Sequence, residues 1–261
     1  MGPKFLTMVR QIIKFLSFAV ILLITITSAT AQETSVMIRV QSKDAKFIGS
    51  SIGGASIIVR EDLTGKILAE GITRGTTGDT KIIMEQPRGR GERLTDEKTA
   101  GFLAKLNITK PVFVTIEAIA PVNKKQASVK TTTQQWIIPG NNIEGDGIVL
   151  EVPGFVVDML SPQTHETITN GKSISIKANV VLMCGCPVTP GGMWNADNYE
   201  VNAIISESGK EAIIVPLISE DKQSTYSTKA DLSSGNYEII VYAFDPATGN
   251  TGLDKTNIII P

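Results

Sequence analysis

Apolar side chains recur at every second position along much of this chain. The repeat is clear in residues 112–118, 173–180, 199–205 and 237–244, where each run places its aliphatic residues on one side. A period of two belongs to a β-strand with one buried face, whereas an amphipathic helix repeats every 3.6 residues. Clusters of Gly, Pro, Asn and Asp separate the runs, which is typical of antiparallel sandwiches. The alternation therefore predicts an all-β fold.

One segment permits two interpretations. Residues 96–106 offer the best candidate helix in the chain. However, Phe102, Ala104, Leu106 and Ile108 recur cleanly at every second position, and this favours a strand. We therefore expect a strand here, within a fold that contains little helix.

The first 31 residues have the organisation of a secretory signal peptide. Lys4, Arg10 and Lys14 supply a positive start, and residues 15–26 form an apolar run. Ala29 and Ala31 place small residues at the two positions that a signal peptidase reads, so cleavage is expected after Ala31. The alternative is an uncleaved anchor, but the apolar run is shorter than the ~20 residues that span a bilayer. We expect a secreted protein, periplasmic or extracellular, with no stable membrane insertion after cleavage.

Composition narrows the function classes. Removal of residues 1–31 takes away three basic residues and changes the net charge from −1 to −4, which excludes electrostatic binding to nucleic acid. One histidine and two cysteines exclude a multi-histidine metal site and a disulfide-dense scaffold. With its only histidine in a polar turn, the chain is not expected to be an enzyme of the Ser–His type.

The mature chain is expected to form two antiparallel β-sandwich domains. A strand-like run ends at Val152, and Pro153 and Gly154 then interrupt the ladder before a new run begins at Phe155. This predicts a first domain over residues 32–152 and a second over 153–261, each close to the usual ~100 residues of a sandwich.

The start of the first domain resembles the carboxypeptidase-regulatory-like, transthyretin-like sandwich domains. The residues that carry the resemblance are Gly54, Ala55, Ile57, Val59, Thr64, Gly65, Gly71 and Thr73. The resemblance implies a strand, a Thr-Gly turn and a returning strand that closes a hairpin.

The end of the second domain resembles the last two strands of bacterial immunoglobulin-like domains. The matching residues are Gly235, Tyr237, Ala243, Asp245, Gly249 and Asn250. The resemblance implies an immunoglobulin-like sandwich and no particular activity, since such domains host many roles. Neither resemblance implies a catalytic residue.

The chemically unusual segment is Cys184-Gly185-Cys186, which is followed by a loop rich in Pro and Gly that ends at Trp194. If the immunoglobulin-like interpretation holds, this loop joins the second and third strands at the end of the sandwich where the chain enters from the first domain. We expect a rigid loop that presents both cysteines.

Three roles remain open for the cysteine pair. The first is structural, as a local disulfide or as two thiols that cap the loop. The second is a soft-metal site for copper or zinc, in which Cys184 and Cys186 provide thiolates and Met183 and Met193 provide thioethers. The third is thiol–disulfide exchange. His165 is not included in the metal site, because it falls in a turn at the opposite end of the sandwich.

Three further clusters carry weaker expectations. Arg88, Arg90 and Arg93 lie in a long loop, residues 75–94, and form either a solvated surface or a contact for an anion or acidic polysaccharide. The segment 145–147 (Gly-Asp-Gly) is interpreted as a hairpin turn. An oxygen-rich turn does not match a calcium loop and is assigned to turn chemistry; its residues are Asp245, Asn250 and Asp254.

Together these observations predict an exported, non-enzymatic binding or structural protein that needs no cofactor. Its partner would be a protein or glycan of the cell envelope. The alternatives are a periplasmic copper- or zinc-binding protein and a thiol redox factor, both based on Cys184 and Cys186.

Overall fold

The computed structural model describes residues 32–169 and 173–261, so the predicted signal peptide lies outside the described residues. These ranges contain two β-sandwiches. The first comprises β1 (Gln32–Ser42), β2 (Ser56–Glu61), β3 (Ile67–Ile72), β4 (Phe102–Ile108), β5 (Val112–Ala120), β6 (Val129–Ile137) and β7 (Ile143–Val152). The second comprises β8 (Phe155–Ser161), β9 (Glu166–Thr167), β10 (Ser173–Leu182), β11 (Glu200–Glu207), β12 (Ile213–Pro216), β13 (Ile218–Ser219), β14 (Thr225–Asp231), β15 (Gly235–Phe244) and β16 (Thr251–Ile260).

Helical structure in the described residues is confined to single turns. Three are 3-10 turns, and one is a π-helical turn in the loop between β3 and β4. Their bounds are Ser50–Ile52, Lys81–Glu85 (π), Lys125–Ala127 and Ala196–Asn198. The all-β fold class is therefore confirmed. Of the segment 96–106, proposed as either helix or strand, residues 102–106 belong to strand β4, Phe102–Ile108, and residues 96–101 lie in the loop before it.

The N-terminal sandwich packs a three-stranded sheet, β4-β1-β7, against a four-stranded sheet, β3-β2-β5-β6. The alternation seen in the sequence turns one face of each strand inward. In β5, for example, Val112, Val114, Ile116 and Ala118 are buried while the residues between them are partly exposed. The two inward faces form one continuous hydrophobic core.

The C-terminal sandwich packs the sheet β13-β14-β10-β8 against the sheet β12-β11-β15-β16-β9. Without the short β9 and β12, seven strands remain in this half. The first, second, fourth and fifth of the seven (β8, β10, β13 and β14) form one layer, and the third, sixth and seventh (β11, β15 and β16) form the other. This is the strand order of the immunoglobulin fold. The immunoglobulin-like character expected of this half is thus present in the strand pairing itself.

Two strand pairs depart from the antiparallel arrangement. β1 pairs in parallel with β7, and β9 pairs in parallel with β16. All other pairs of named strands in the described residues are antiparallel. The parallel β1–β7 pair places the first and last strands of the N-terminal sandwich side by side.

The predicted hairpin turn at residues 145–147 is wrong, because this segment forms a bulge inside β7. Val36 pairs with Ile143 and Ile38 with Ile148, so one residue of β1 faces four of β7 between these pairs. Gly145 and Gly147 both take φ of 70°, which shortens the strand without breaking it. A Gly-Asp-Gly segment suits a turn and a bulge equally, and only the pairing with β1 distinguishes them.

Replacement of Gly147 by alanine should destabilise the protein far more than the same change at an open glycine. A Cβ at Gly147 would lie 2.2 Å from the carbonyl oxygen of Met37, whereas a Cβ at Gly209, which has a similar φ of 79°, would meet nothing within 4 Å. We expect a loss of about 1 kcal/mol for Gly209→Ala from backbone strain and about 3 kcal/mol or more for Gly147→Ala. Urea unfolding of both variants measures the difference, and equal losses would contradict the bulge.

Candidate functional site

The two sandwiches meet at a junction formed around the residues that follow β1. Trp194 Nε1 donates a hydrogen bond of 2.9 Å to the carbonyl oxygen of Asp44. Lys43 Nζ donates to the carbonyl oxygen of Thr248 at 2.7 Å. The loop Lys43–Asp44 of the N-terminal half is therefore held by two separate loops of the C-terminal half.

Asn250 is the residue that ties the connecting strand to this loop. Its Oδ1 accepts from the backbone N–H of Gly154 at 2.9 Å, and its Nδ2 donates to the carbonyl oxygen of Lys43 at 3.3 Å. Asn250 is 1% exposed, so both bonds lie in a dry environment. The sequence alone predicts only a role in a turn for Asn250, because its two partners, Gly154 and Lys43, lie about 100 and about 200 residues away along the chain.

Each core receives side chains from the other half. Met183 and Val156, which belong to the C-terminal sandwich by position, are completely buried within the N-terminal core. Ala45 is buried within the C-terminal core. On the surface beside this contact, Lys124 Nζ lies 2.8 Å from Asp158 Oδ2. The junction is therefore packed rather than hinged.

Cys184 and Cys186 form a disulfide at this junction, with their Cα atoms 5.3 Å apart. Gly185, with φ of 76°, makes the bend that brings them together, and the side chain of Ile52 from the N-terminal core packs next to it. The loop lies at the end of the sandwich that faces the first domain, as predicted. The expectation that the loop presents its cysteines is wrong, because Cys184 and Cys186 are 1% and 4% exposed within the C-terminal core.

The proposed metal ligands do not converge in this arrangement. Met183 is enclosed in the N-terminal core, whereas Met193 is 46% exposed. Among the described residues, no group of three or more His, Cys, Asp and Glu side chains is arranged to hold a metal ion. His165 pairs with Asn257 at the far end of β16, away from the disulfide. The metal hypothesis requires reduced thiols, and the thiol-exchange hypothesis requires a sulfur atom that an external thiolate can reach. Both stay predictions.

A second candidate site lies on the outer face of the three-stranded sheet of the N-terminal sandwich. The segment that joins β3 to β4, residues 73–101, folds across this face and leaves a groove of about 450 Å³, which we call the arginine groove. Arg39 from β1 forms part of the groove, and Arg74 and Arg93 from the joining segment flank it. The lining residues are Ser35, Met37, Arg39, Arg74, Arg93, Glu97, Thr99, Gly101, Leu103, Glu144 and Gly145.

Arg39 is a buried cation that is held by backbone carbonyl groups. Its Nη1 donates to the carbonyl oxygens of Thr99 and Ala100, and its Nη2 donates to that of Gly145 at 3.4 Å. Its Nε is buried and has no hydrogen-bond partner in the structure. The side chain is 3% exposed, and burial lowers its pKa while the charge of Asp146 opposes this change.

Two carboxylates hold the joining segment, one from the sheet and one from within the segment itself. Asp146, which projects from the β7 bulge, accepts from the backbone N–H groups of Leu94 and Thr95 and from the Thr95 hydroxyl. Asp96 accepts from the backbone N–H and hydroxyl of Thr99. Both side chains are therefore engaged with the segment rather than with a groove arginine.

The predicted basic run divides between two environments. Arg93 lines the arginine groove, whereas Arg88 and Arg90 lie outside it and are exposed. Sequence reasoning missed Arg39 and Arg74. An alternating strand gives no sign that an outward position will be covered by a distant segment.

Comparisons with known proteins give only distant likenesses. No protein-family model and no curated protein sequence matches the chain. An engineered protein shares 15% identity with a TM-score of 0.31 over 45% of this chain, which spans 22% of that protein. Fibronectin(III)-like modules of Clostridium thermocellum CbhA share 13% identity with a TM-score of 0.29 over 78% of this chain and 77% of theirs. The chicken interferon gamma receptor alpha chain shares 10% identity with a TM-score of 0.31 over 89% and 99%. The β-sandwich assignment rests on strand pairing and not on these likenesses.

The structure also bears on membrane insertion. Within residues 32–169 and 173–261, no helix combines the length and the apolar character that a membrane crossing requires.

The Cys184–Cys186 bridge should resist reduction while the protein is folded. Attack by an external thiolate requires access to a sulfur atom, and both sulfurs belong to residues within the C-terminal core. With dithiothreitol and iodoacetamide, the native protein should stay unalkylated for as long as it remains folded, and the same protein in denaturant should take up two alkyl groups. Mass spectrometry counts them. Equal rates in both conditions would instead favour the thiol-exchange hypothesis.

Tyr199 should make the protein less stable at alkaline pH. Burial, together with the charges of Asp245 and Asp44, raises the pKa of Tyr199 from 10.0 to about 12. An unfolded tyrosine loses its proton first, so folding stability is complete below pH 10 and decreases as the pH rises toward 12. Tyr199→Phe should remove about 2 kcal/mol of this decrease. Urea unfolding across this pH range measures the effect, with the variant at pH 7 as its own control; an unchanged alkaline slope would refute it.

Proposed function

We propose that this protein is an exported, non-enzymatic binding or structural protein of the cell envelope or extracellular space. The observation that carries the proposal is the Cys184–Cys186 disulfide, the only cysteine pair of the chain, buried where the two sandwiches meet. Structural disulfides form and persist in oxidising compartments. The bridge therefore agrees with the signal peptide proposed for residues 1–31.

The junction supports a role that depends on a fixed arrangement of two sandwiches. Met183 and Val156 pack in one core and Ala45 in the other, so relative movement of the halves would break core packing on both sides. A chain of this kind holds the loops and sheet faces of both sandwiches in a constant geometry. Such rigidity lowers the entropy cost when a partner contacts both halves.

The domain assignment, residues 32–152 and 153–261, is proposed on the division between the two cores. The N-terminal sandwich is proposed to be transthyretin-like. Its β2–β3 hairpin closes at Thr64 and Gly65, where the N–H of Gly65 donates to the carbonyl oxygen of Glu61 at 2.9 Å. Thr73 Oγ1 also accepts from the N–H of Ala55 at 2.8 Å, which links the two ends of the resembling segment.

The non-enzymatic part of the proposal rests on the placement of reactive groups. The two cysteines are joined to each other, and His165 lies in a turn at the opposite end of the C-terminal sandwich. Loops at the sandwich ends and outer sheet faces are left as the surfaces for a partner, which we propose to be a protein or glycan of the envelope.

Expression of the full chain in a bacterium that secretes heterologous signal peptides tests the proposal. We expect the protein outside the cytoplasm, starting at Gln32, with a mass two hydrogens below that of the reduced chain. A variant that lacks residues 2–31 should remain in the cytoplasm with reduced cysteines. Intact mass spectrometry of the cell fractions reads both properties.

Two outcomes would contradict the proposal. A full-length chain retained in the cytoplasm would overturn export. An exported chain that still carries residues 1–31 would overturn cleavage after Ala31 and would favour the uncleaved anchor.

A further inference from the structure

We propose that the arginine groove is a binding site for a small organic carboxylate. The inference rests on the proposed binding function and names a ligand class for it. The test uses the purified protein in solution, so it fails or succeeds independently of export.

The first argument is that Arg39, a buried cation, forms no ion pair within 4.0 Å among the described residues. Buried cations in proteins are normally paired with a carboxylate, because the cost of removing a charge from water is several kcal/mol. Arg39 is 3% exposed and is bonded only to the carbonyl oxygens of three residues, with its Nε left without a partner. The charges of Asp146 and Asp96 act on Arg39 only from beyond ion-pair distance, and a bound carboxylate would supply the direct partner that neither provides.

The second argument is that Arg74 and Arg93 are also unpaired. Every ion pair within 4.0 Å among the described residues involves a lysine or Arg60, and none involves a groove arginine. Asp146, whose charge acts on Arg39, accepts hydrogen bonds from the N–H groups of Leu94 and Thr95 rather than from a groove arginine. Three guanidinium groups therefore line one groove, and none of them has a carboxylate of the described residues within 4.0 Å.

A purely structural role explains only part of this arrangement. The carbonyl bonds of Arg39 help to hold the joining segment, and that alone would account for its burial. Arg74 and Arg93 are exposed and form no side-chain hydrogen bond within the described part of the chain, so fold stability gives no reason for their position. The test therefore uses these two residues rather than Arg39.

The groove chemistry selects a carboxylate over other anions. A guanidinium group presents planar, forked donors that match the two oxygens of a carboxylate. Glu97 and Glu144 also line the groove and would repel a ligand that is anionic throughout, such as a polyphosphate. They would accept hydrogen bonds from hydroxyl or amino groups, so the ligand should carry one carboxylate on a neutral or cationic remainder.

The size and walls of the groove define the rest of the ligand. A volume of about 450 Å³ falls in the range of small-molecule sites. Met37 and Leu103 provide apolar contact, and Ser35 and Thr99 provide polar contact. Both a uronic acid and an amino-acid derivative fit this description, and they share the carboxylate that we propose is recognised.

Isothermal titration of the purified protein with two carboxylate probes and their neutral counterparts tests the proposal, whichever cell fraction the protein is purified from. The probes are D-galacturonate and N-acetyl-L-leucine, and the counterparts are D-galactose and N-acetyl-L-leucinamide. Inorganic phosphate is titrated in parallel as an anion without a carboxylate. We expect at least one carboxylate to bind and both neutral compounds to fail. Binding of galacturonate alone would indicate an acidic saccharide, and binding of N-acetyl-L-leucine alone would indicate an amino-acid or peptide carboxylate.

Matched double variants assign the binding to the groove. Arg74→Gln/Arg93→Gln should weaken binding by about tenfold or more, because charged hydrogen bonds are lost. Arg88→Gln/Arg90→Gln removes the same charge from the same segment outside the groove and should leave binding unchanged. Urea unfolding checks that both variants fold, and the single variant Arg93→Gln replaces the first pair if it does not.

Three results would overturn the proposal. They are the failure of both carboxylates to bind, binding of inorganic phosphate alone, and equal weakening by the two double variants. The last result would show a general effect of charge rather than a site.

Discussion

The structure depends on the reciprocal burial of side chains between its two cores. Met183 lies next to the disulfide in sequence but packs in the N-terminal core, and Ala45 packs in the C-terminal core. Only Pro153 and Gly154 separate β7 from β8, and the N–H of Gly154 is satisfied by Asn250. Because the connection is short and its donor is bonded, neither sandwich can rotate without exposing apolar surface and breaking a buried hydrogen bond.

Local patterns were sufficient to predict the longer strands that bury one face, such as β5 and β10. The short strands β9 and β12 bury no residue, and no local pattern predicts them. The clean alternation of Phe102–Ile108 outweighed its helical propensity, and β4 confirms this. Local patterns gave the wrong structure where pairing with a strand that is distant in sequence determines the local conformation. The Gly-Asp-Gly segment at 145–147 has the local chemistry of a turn, yet β1 continues beside it and makes it a bulge.

The candidate sites were harder to predict, since burial there comes from segments that are distant in sequence. The disulfide was among the predicted alternatives, but its enclosure depends on Ile52 and on the core of the second sandwich. Arg93 was selected as part of a basic run, whereas Arg39 occupies an outward position of an alternating strand, which normally faces solvent. Its 3% exposure results from residues 73–101, which no local pattern relates to β1.

The features that local sequence patterns did not predict lie together at the arginine groove. The β7 bulge projects Asp146, Asp146 binds the joining segment at Leu94 and Thr95, and the segment then covers Arg39 and positions Arg93. A bulge, a long loop and a buried unpaired charge each cost stability when considered separately. Together they hold three guanidinium groups in one groove with no carboxylate of the described residues in ion-pair contact with them. Natural sequences depart from local consistency mainly at functional sites, and pre-organised donors are what an anionic ligand requires.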